Sequence, residues 1–169
     1  ERVVEAVRAR PEEALALGGV EAQVAVMFVD IARFTAMSQD LDPSEVVRGL
    51  NAWFRIADPV IERCNGIVDK RMGDGILVVF LHEEAERPGR HPVERAAAAS
   101  VGLHGALEDS RGDLARDTPA FAAMSIRCAV HYGPATVGNM GSERRMEYTV
   151  IGDTVNTAAR VEELTPADA

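Results

Sequence analysis

The chain has 169 residues, of which 47% are apolar and 27% charged, a balance typical of one globular domain with its own core. Its net charge of −9 argues against a general nucleic-acid surface, which needs a basic stripe. The longest strongly apolar stretch, Val24–Val29, is too short to span a bilayer. No signal peptide is visible, and a first residue of Glu1 rather than Met predicts a piece of a longer protein.

The first part of the chain predicts a connecting segment, a buried strand and a long helix. The apolar spacing of Glu1–Arg10 predicts a helix, and the turn at Leu17-Gly18-Gly19 follows it. Residues 1–19 are therefore a predicted connecting segment that leads into a domain at residues 20–169. The continuous apolar run Val24–Val29 favours a central strand that is covered on both sides. A helix start follows at Asp42–Glu45, where a capping aspartate precedes proline, and Gly66 is predicted to end that helix.

The second part of the chain predicts mainly strands. Ile67–Arg71 and Ile76–Phe80 flank a Gly-Asp-Gly turn and form a predicted hairpin. The further predicted elements are a helix at Pro92–Glu108, a loop at Arg111–Pro119, a strand pair Ser125–His131 and Ala135–Met140 around Gly133-Pro134, a strand at Met146–Ile151 and a helix at Asp153–Leu164. This order predicts an α+β fold, a ferredoxin-like (split βαβ) antiparallel sheet with helices on one face.

Two aspartates lie where this topology brings strands together. Asp30 ends the most buried strand and Asp74 lies at the tip of the hairpin. If the first strand runs beside that hairpin, both carboxylates reach one edge of the sheet. Carboxylates and phosphate oxygens are ligands that Mg²⁺ prefers, so the pair is a candidate two-metal site. The alternative is structural, with Asp74 as a turn residue and Asp30 as a helix cap.

Other candidate ligand-binding residues follow from residue type and spacing. Lys70 is the only lysine among 18 basic residues, and a slender ammonium can donate to a purine ring nitrogen where a guanidinium does not fit. Asn156 and Arg160 are four residues apart on a predicted helix, so they share a face that could orient a ribose and hold phosphate. Ile31–Thr35 leads into a helix whose backbone N–H groups can hold phosphate. The alternatives are a solvated strand residue, a solvated helix face and an ordinary strand-to-helix turn.

Together these segments resemble the class III adenylate and guanylate cyclases. Phe28–Thr35 is similar to the family's F-x-D-I-x-G-F-T motif, and Gly66–Gly75 is similar to its G-x-x-x-K-x-x-G-D segment. Val137–Gly141 and Ile151–Arg160 resemble the V-G-N-x-G hairpin and the I-G-D-x-V-N-x-A-x-R helix start. Four motifs in the same order are far more specific than any one of them, and the resemblance extends over about residues 20–164.

The resemblance implies a role for each candidate residue. Asp30 and Asp74 would hold two metal ions, Mg²⁺ or Mn²⁺. Lys70 and Thr149 occupy the purine-reading positions, with the Lys and Thr types that adenylate cyclases carry. The implied roles of the remaining residues are ribose orientation by Asn156, charge stabilisation on the transferring phosphate by Arg160, and phosphate binding through the backbone turn of Ile31, Phe34 and Thr35.

The implied function is an adenylate cyclase that converts ATP to 3′,5′-cyclic AMP and pyrophosphate. In this family two chains share each active site, so a homodimer is expected, with its sites at the interface. The resemblance also implies a cytoplasmic domain coupled to an upstream sensor or membrane region. A guanylate cyclase and a regulatory or dimerisation domain are the alternatives. Two departures from the family stand out, because Arg33 replaces its usual glycine and its domain continues into further strands beyond Ala169.

Overall fold

The computed structural model describes residues 18–82, 90–142 and 145–166. Its five-stranded sheet has the order β2-β3-β1-β4-β5, and every neighbouring pair is antiparallel. The strands are β1 (Gly18–Ile31), β2 (Ile67–Met72), β3 (Gly75–Leu81), β4 (Ile126–Ser142) and β5 (Arg145–Ile151). This is the predicted split βαβ arrangement with one added strand. The predicted helix at Glu1–Arg10 lies outside the described residues.

Five helices accompany the sheet in the described ranges. They are α1 (Phe34–Ser38), α2 (Pro43–Arg63), α3 (Pro92–Asp109), α4 (Arg111–Asp117) and α5 (Asp153–Leu164), with a 3₁₀ turn at Pro119–Phe121. None of these helices is long and apolar enough to cross a membrane. The prediction that the helices lie on one face is wrong, because α2 and α3 pack on one face of the sheet and α5 packs on the other.

The central strand explains how both faces are covered. Side chains alternate along a strand, so Ala25 and Met27 of β1 join the core beneath α2 and α3, while Val24 and Val26 join a second core beneath α5. All four side chains are fully buried. The apolar run that predicted a doubly covered strand is confirmed. The strand itself is longer than predicted, because pairing with β4 begins at Gly18.

Helix α2 begins as predicted and ends differently. The Asp42 side chain accepts from the backbone of Ser44, and Glu45 accepts from the Asp42 N–H, which completes a capping box. At the other end, Asn65 rather than Gly66 takes the left-handed conformation, with φ 55°. A Cβ at Gly66 would lie 2.8 Å from Ile61, so this glycine is needed for close packing.

Two further predictions were wrong. The strand pair around Gly133-Pro134 is one continuous strand, β4. The Pro134 carbonyl accepts from the Thr154 hydroxyl at 2.6 Å. The nitrogen and the carbonyl of a strand residue face the same side, so the Pro134 nitrogen also faces away from β1. The N–H that proline lacks therefore removes no hydrogen bond to β1.

The predicted loop at Arg111–Pro119 contains helix α4, because Leu114 is buried and the Arg111 guanidinium donates to the carbonyls of Ala122 and Met124.

Candidate active site

The structure brings Asp30 and Asp74 together at one edge of the sheet. Asp30 is near the end of β1, and Asp74 lies in the turn between β2 and β3. Because β1 pairs with β3 up to Val29 opposite Ile76, this turn lies beside the end of β1. The Ile31 N–H donates to Asp74 Oδ2 at 3.3 Å and holds the turn there. A Cβ placed on Gly75 would lie 3.6 Å from Asp30 Oδ1, so the turn passes close to that carboxylate.

Burial and the neighbouring carboxylate change the protonation of Asp74. The pKa of Asp74 is raised to about 7, first by burial and then by its hydrogen bond to Asp30 and repulsion from that charge. A divalent cation would remove this repulsion, so the donor set fits a hard metal ion. Among the described residues, no cluster of three or more acidic, histidine or cysteine side chains could hold a metal. Water and phosphate oxygens would complete the coordination, as Mg²⁺ prefers.

A partly buried cation, which sequence reasoning missed, flanks the two aspartates. Arg127 lies opposite Asp30 in the β1–β4 register, and its Nη2 donates to Asp30 Oδ2 at 2.8 Å. The same Nη2 forms an ion pair of 2.7 Å with Oε1 of Glu162 on α5. These contacts raise the pKa of Arg127, while burial raises the pKa of Glu162. No spacing in the sequence indicates this triad, because it depends on the strand register.

A second group of side chains contains the two predicted purine readers, Lys70 and Thr149. Thr149 on β5 is buried, and its hydroxyl donates to Asp69 Oδ2 at 2.9 Å. The Lys70 ammonium lies 3.4 Å from the same oxygen. Asp69 was not predicted as a site residue, yet it links Lys70 to Thr149. Asp69 and Thr149 are at the polar end of a cavity whose other walls are mostly apolar, including Ile67, Val79, Val137, Tyr148 and Val150.

Asn156 and Arg160 form a third, separate group on α5. Both residues are exposed. Helical geometry places them on one face, and Glu162 lies two residues past Arg160, about 200° around the helix at roughly 100° per residue. The side of α5 that contacts Arg127 of its own chain is therefore opposite the side that bears Asn156 and Arg160.

Phosphate binding by the turn of Ile31, Phe34 and Thr35 stays a prediction, and the structure shows where its side chains lie. The Ile31 side chain is buried in the core, and its N–H orients Asp74. The ring of Phe34 packs at 6.4 Å from the ring of Phe121, and Thr35 is exposed in the short helix α1. Arg33, which precedes that helix, adopts φ 59° and ψ 28°, a left-handed conformation that favours glycine. This backbone geometry explains why the similar motif has glycine there.

Comparison with known proteins identifies the family. The sequence pattern of the adenylate and guanylate cyclase catalytic domain matches residues 20–168, and the chain belongs to that family. It is 36% identical over 160 residues to an uncharacterised protein of Mycobacterium tuberculosis and 33% identical over 141 residues to adenylate cyclase 1 of Rhizobium meliloti. These matches cover 95% and 83% of this chain, but only 27% and 20% of those proteins.

Solved structures agree on the fold. The crystal structure of the guanylyl cyclase Cya2 superimposes with a TM-score of 0.79 at 32% identity, covering 89% of this chain and 74% of that one. The predicted family and fold class are therefore confirmed. The similar proteins include both an adenylate cyclase and a guanylyl cyclase, so the preferred base has to be argued from the residues of the site.

Proposed function

We propose that this chain is the catalytic domain of an adenylate cyclase, which converts ATP to 3′,5′-cyclic AMP and pyrophosphate. The observation that carries the proposal is the pairing of Asp30 with Asp74 at one edge of the sheet, where burial and the neighbouring Asp30 raise the pKa of Asp74 to about 7. Of the two carboxylates, Arg127 contacts that of Asp30, at Oδ2, and the two neighbouring carboxylates supply the oxygen ligands that Mg²⁺ prefers. The family membership supplies the reaction class.

The residues of the proposed metal site have three different roles. Two Mg²⁺ or Mn²⁺ ions, when bound by Asp30 and Asp74, would activate the attacking ribose hydroxyl and neutralise the leaving pyrophosphate. Arg127 offsets the charge of Asp30 and lies close enough to the carboxylates to meet a polyphosphate. The backbone turn at Ile31, Phe34 and Thr35 follows directly and is proposed to hold phosphate.

The preferred base follows from hydrogen-bond types. Lys70 has only donors, so it matches the ring nitrogen acceptor of adenine and opposes the ring N–H of guanine. Thr149 lies close by through Asp69, and its hydroxyl oxygen can accept from the amino group of adenine. The apolar walls of the adjoining cavity suit a flat base with a polar edge.

We propose a homodimer in which each active site draws on both chains. Asn156 and Arg160 lie on the face of α5 opposite Glu162, so they point away from the metal carboxylates of their own chain. Exposed apolar side chains occur on two consecutive elements, namely Met146, Tyr148 and Ile151 on β5 and Val161 and Leu164 on α5. A second copy covering this face would present its own aspartates to Asn156 and Arg160, which orient the ribose and stabilise the phosphate.

The parent protein is proposed to place this domain in the cytoplasm, where ATP is available, under an upstream sensor or membrane region. A guanylate cyclase is the second candidate, because Cya2 is a guanylyl cyclase at 32% identity. Lys70 argues against it, since an ammonium faces the donor N–H of guanine. A purely regulatory or dimerisation domain has no need of a strained aspartate pair, which argues for catalysis.

The test is product formation from radiolabelled ATP with Mn²⁺ or Mg²⁺, with cyclic AMP and pyrophosphate measured together. Asp30→Asn is the inactive control, and Asp113→Asn is the matched control, because Asp113 is an exposed acid of α4 away from the site. Equal amounts of both products that disappear only with Asp30→Asn support the proposal. A well-folded dimer that binds ATP and forms no product supports the regulatory alternative.

A further inference from the structure

Asp69 is the most buried charged group near the proposed purine site, with a side chain only 5% exposed. Its Oδ2 receives two donors, the Thr149 hydroxyl at 2.9 Å and the Lys70 ammonium at 3.4 Å. Two purine readers from opposite edges of the sheet therefore meet on one carboxylate oxygen. Nothing in the metal chemistry uses Asp69, so its burial needs another explanation.

An irregularity in β2 creates this arrangement. Val68 pairs with Val78 of β3, but Lys70 pairs with Leu77, so the register shifts by one residue and Asp69 is the extra residue. In a regular strand, neighbouring side chains project to opposite faces. The shift lets Asp69 and Lys70 approach each other instead. Bulges next to active sites commonly redirect side chains in this way.

We propose that Asp69 is a positioning residue that makes ATP the preferred nucleotide by fixing the direction of the Thr149 hydroxyl. An ionised carboxylate can only accept hydrogen bonds, so the Thr149 hydroxyl must donate its single proton to Asp69. The lone pairs of the Thr149 oxygen are then directed elsewhere, and the hydroxyl can serve a ligand only as an acceptor. This inference rests on the proposed nucleotide site and deepens it.

The consequence concerns the base edge that the pocket accepts. Adenine presents an amino donor and a ring acceptor, which match an acceptor at Thr149 and a donor at Lys70. Guanine presents a carbonyl acceptor and a ring N–H donor, which oppose both groups. A free threonine hydroxyl could rotate and donate to the guanine carbonyl. Asp69 removes that option, so it contributes to base choice without touching the base.

The test is a double-mutant cycle on the ATP/GTP ratio of kcat/KM and of Kd, the latter measured by displacement of a fluorescent ATP analogue. Asp69→Asn is isosteric, and its amide can donate to the Thr149 oxygen and free the hydroxyl proton. Thr149→Val removes the hydroxyl, and Thr149→Ser keeps it.

We expect Asp69→Asn to lower the ATP/GTP ratio by roughly tenfold, the scale of one mismatched polar group. Thr149→Ser should leave the ratio within about twofold of the unmutated protein, because serine keeps the same donor and acceptor.

The double-mutant cycle tests the role of Asp69 separately from the proposed cyclase activity. If Asp69 acts through the Thr149 hydroxyl, Asp69→Asn changes the ATP/GTP ratio when residue 149 is threonine but not in the Thr149→Val background. An unchanged ratio with Asp69→Asn, or an equal change in both backgrounds, overturns the inference and leaves the proposed cyclase activity intact. Should Asp69→Asn fail to fold, the comparison of Thr149→Ser with Thr149→Val decides, since equal ratios in those two contradict a role for the hydroxyl. A protein that binds neither nucleotide overturns both claims.

Discussion

The Ile31 N–H donates to Asp74 Oδ2 at 3.3 Å although 43 residues separate them. This hydrogen bond holds the turn between β2 and β3 against the end of β1, and it explains why the carboxylates of Asp30 and Asp74 lie close together. The same residues that terminate the central strand therefore assemble the proposed metal site. Burial in this position, together with the hydrogen bond to Asp30 and repulsion from its charge, raises the pKa of Asp74.

Replacing either aspartate should abolish turnover without unfolding the chain. Asp30→Asn or Asp74→Asn removes one of two carboxylates, and metal-ion stabilisation of several kcal/mol corresponds to a loss of roughly a hundred- to ten-thousandfold in kcat. The measurement is kcat with saturating Mn²⁺, with circular dichroism to verify folding. Near-normal turnover in either variant would show that the pair does not hold the catalytic ions.

Asp74 should make the metal-free chain less stable as the pH rises. Its pKa is about 7 in the folded chain and near 3.8 for an ordinary aspartate. The folded state therefore binds more protons between about pH 4 and 7, and the free energy of unfolding falls across that window. Asp74→Asn has no such charge, and it should be more stable than the unmutated chain at pH 8 by about 1–2 kcal/mol after a discount for solvent screening of this half-buried group.

Urea unfolding at pH 5 and pH 8 in the presence of a chelator measures this difference. Asp113→Asn serves as the control, since that exposed residue should show no comparable gain. Metal binding should also release protons near pH 6.5, because the ligand must ionise. A variant Asp74→Asn that is less stable than the unmutated chain at pH 8 would contradict the raised pKa of Asp74.

Arg33 carries backbone strain that glycine would relieve. A left-handed residue other than glycine costs about 1–2 kcal/mol, and the greater entropy of glycine in the unfolded chain returns roughly half of that. Arg33→Gly should therefore raise the melting temperature by about 2 °C. Arg33→Ala is the matched control, because it removes the guanidinium but keeps the Cβ. Equal gains in both variants would assign the effect to charge rather than to the backbone.

Much of the fold follows from local signals, and the parts that do not have identifiable causes. The capping box of Asp42 and Glu45 and the apolar run of β1 are readable because neighbouring residues determine them. The ion pair of Arg127 with Asp30 spans 97 positions and exists only through the β1–β4 register. Asp69 enters the site through a register shift, which leaves no mark in residue composition. Pro134 reads as a turn residue because the sequence does not reveal which side of the strand its nitrogen faces.

The shared-site proposal predicts complementation. Asp30→Ala and Arg160→Ala should each be inactive alone, and mixing them should restore activity, because a mixed dimer retains one intact site out of two. At equal concentrations half of the dimers are mixed, so about a quarter of the normal activity is expected from symmetry alone. Mixing two preparations of Asp30→Ala is the control. Absence of recovery, with mixed dimers demonstrated by differential tagging, would count against the division of residues between chains.

The central claim is an ATP-cyclising site, and the most direct measurement is kcat/KM for ATP and for GTP. Lys70 and Thr149 each oppose guanine, and one mismatched buried polar group costs about 1–3 kcal/mol, so we expect ATP to be preferred by at least roughly tenfold. Lys70→Glu combined with Thr149→Cys should erode or reverse that preference. Cyclic AMP formation with this preference is the predicted result. Equal or faster formation of cyclic GTP by the unmutated protein would contradict the adenylate assignment.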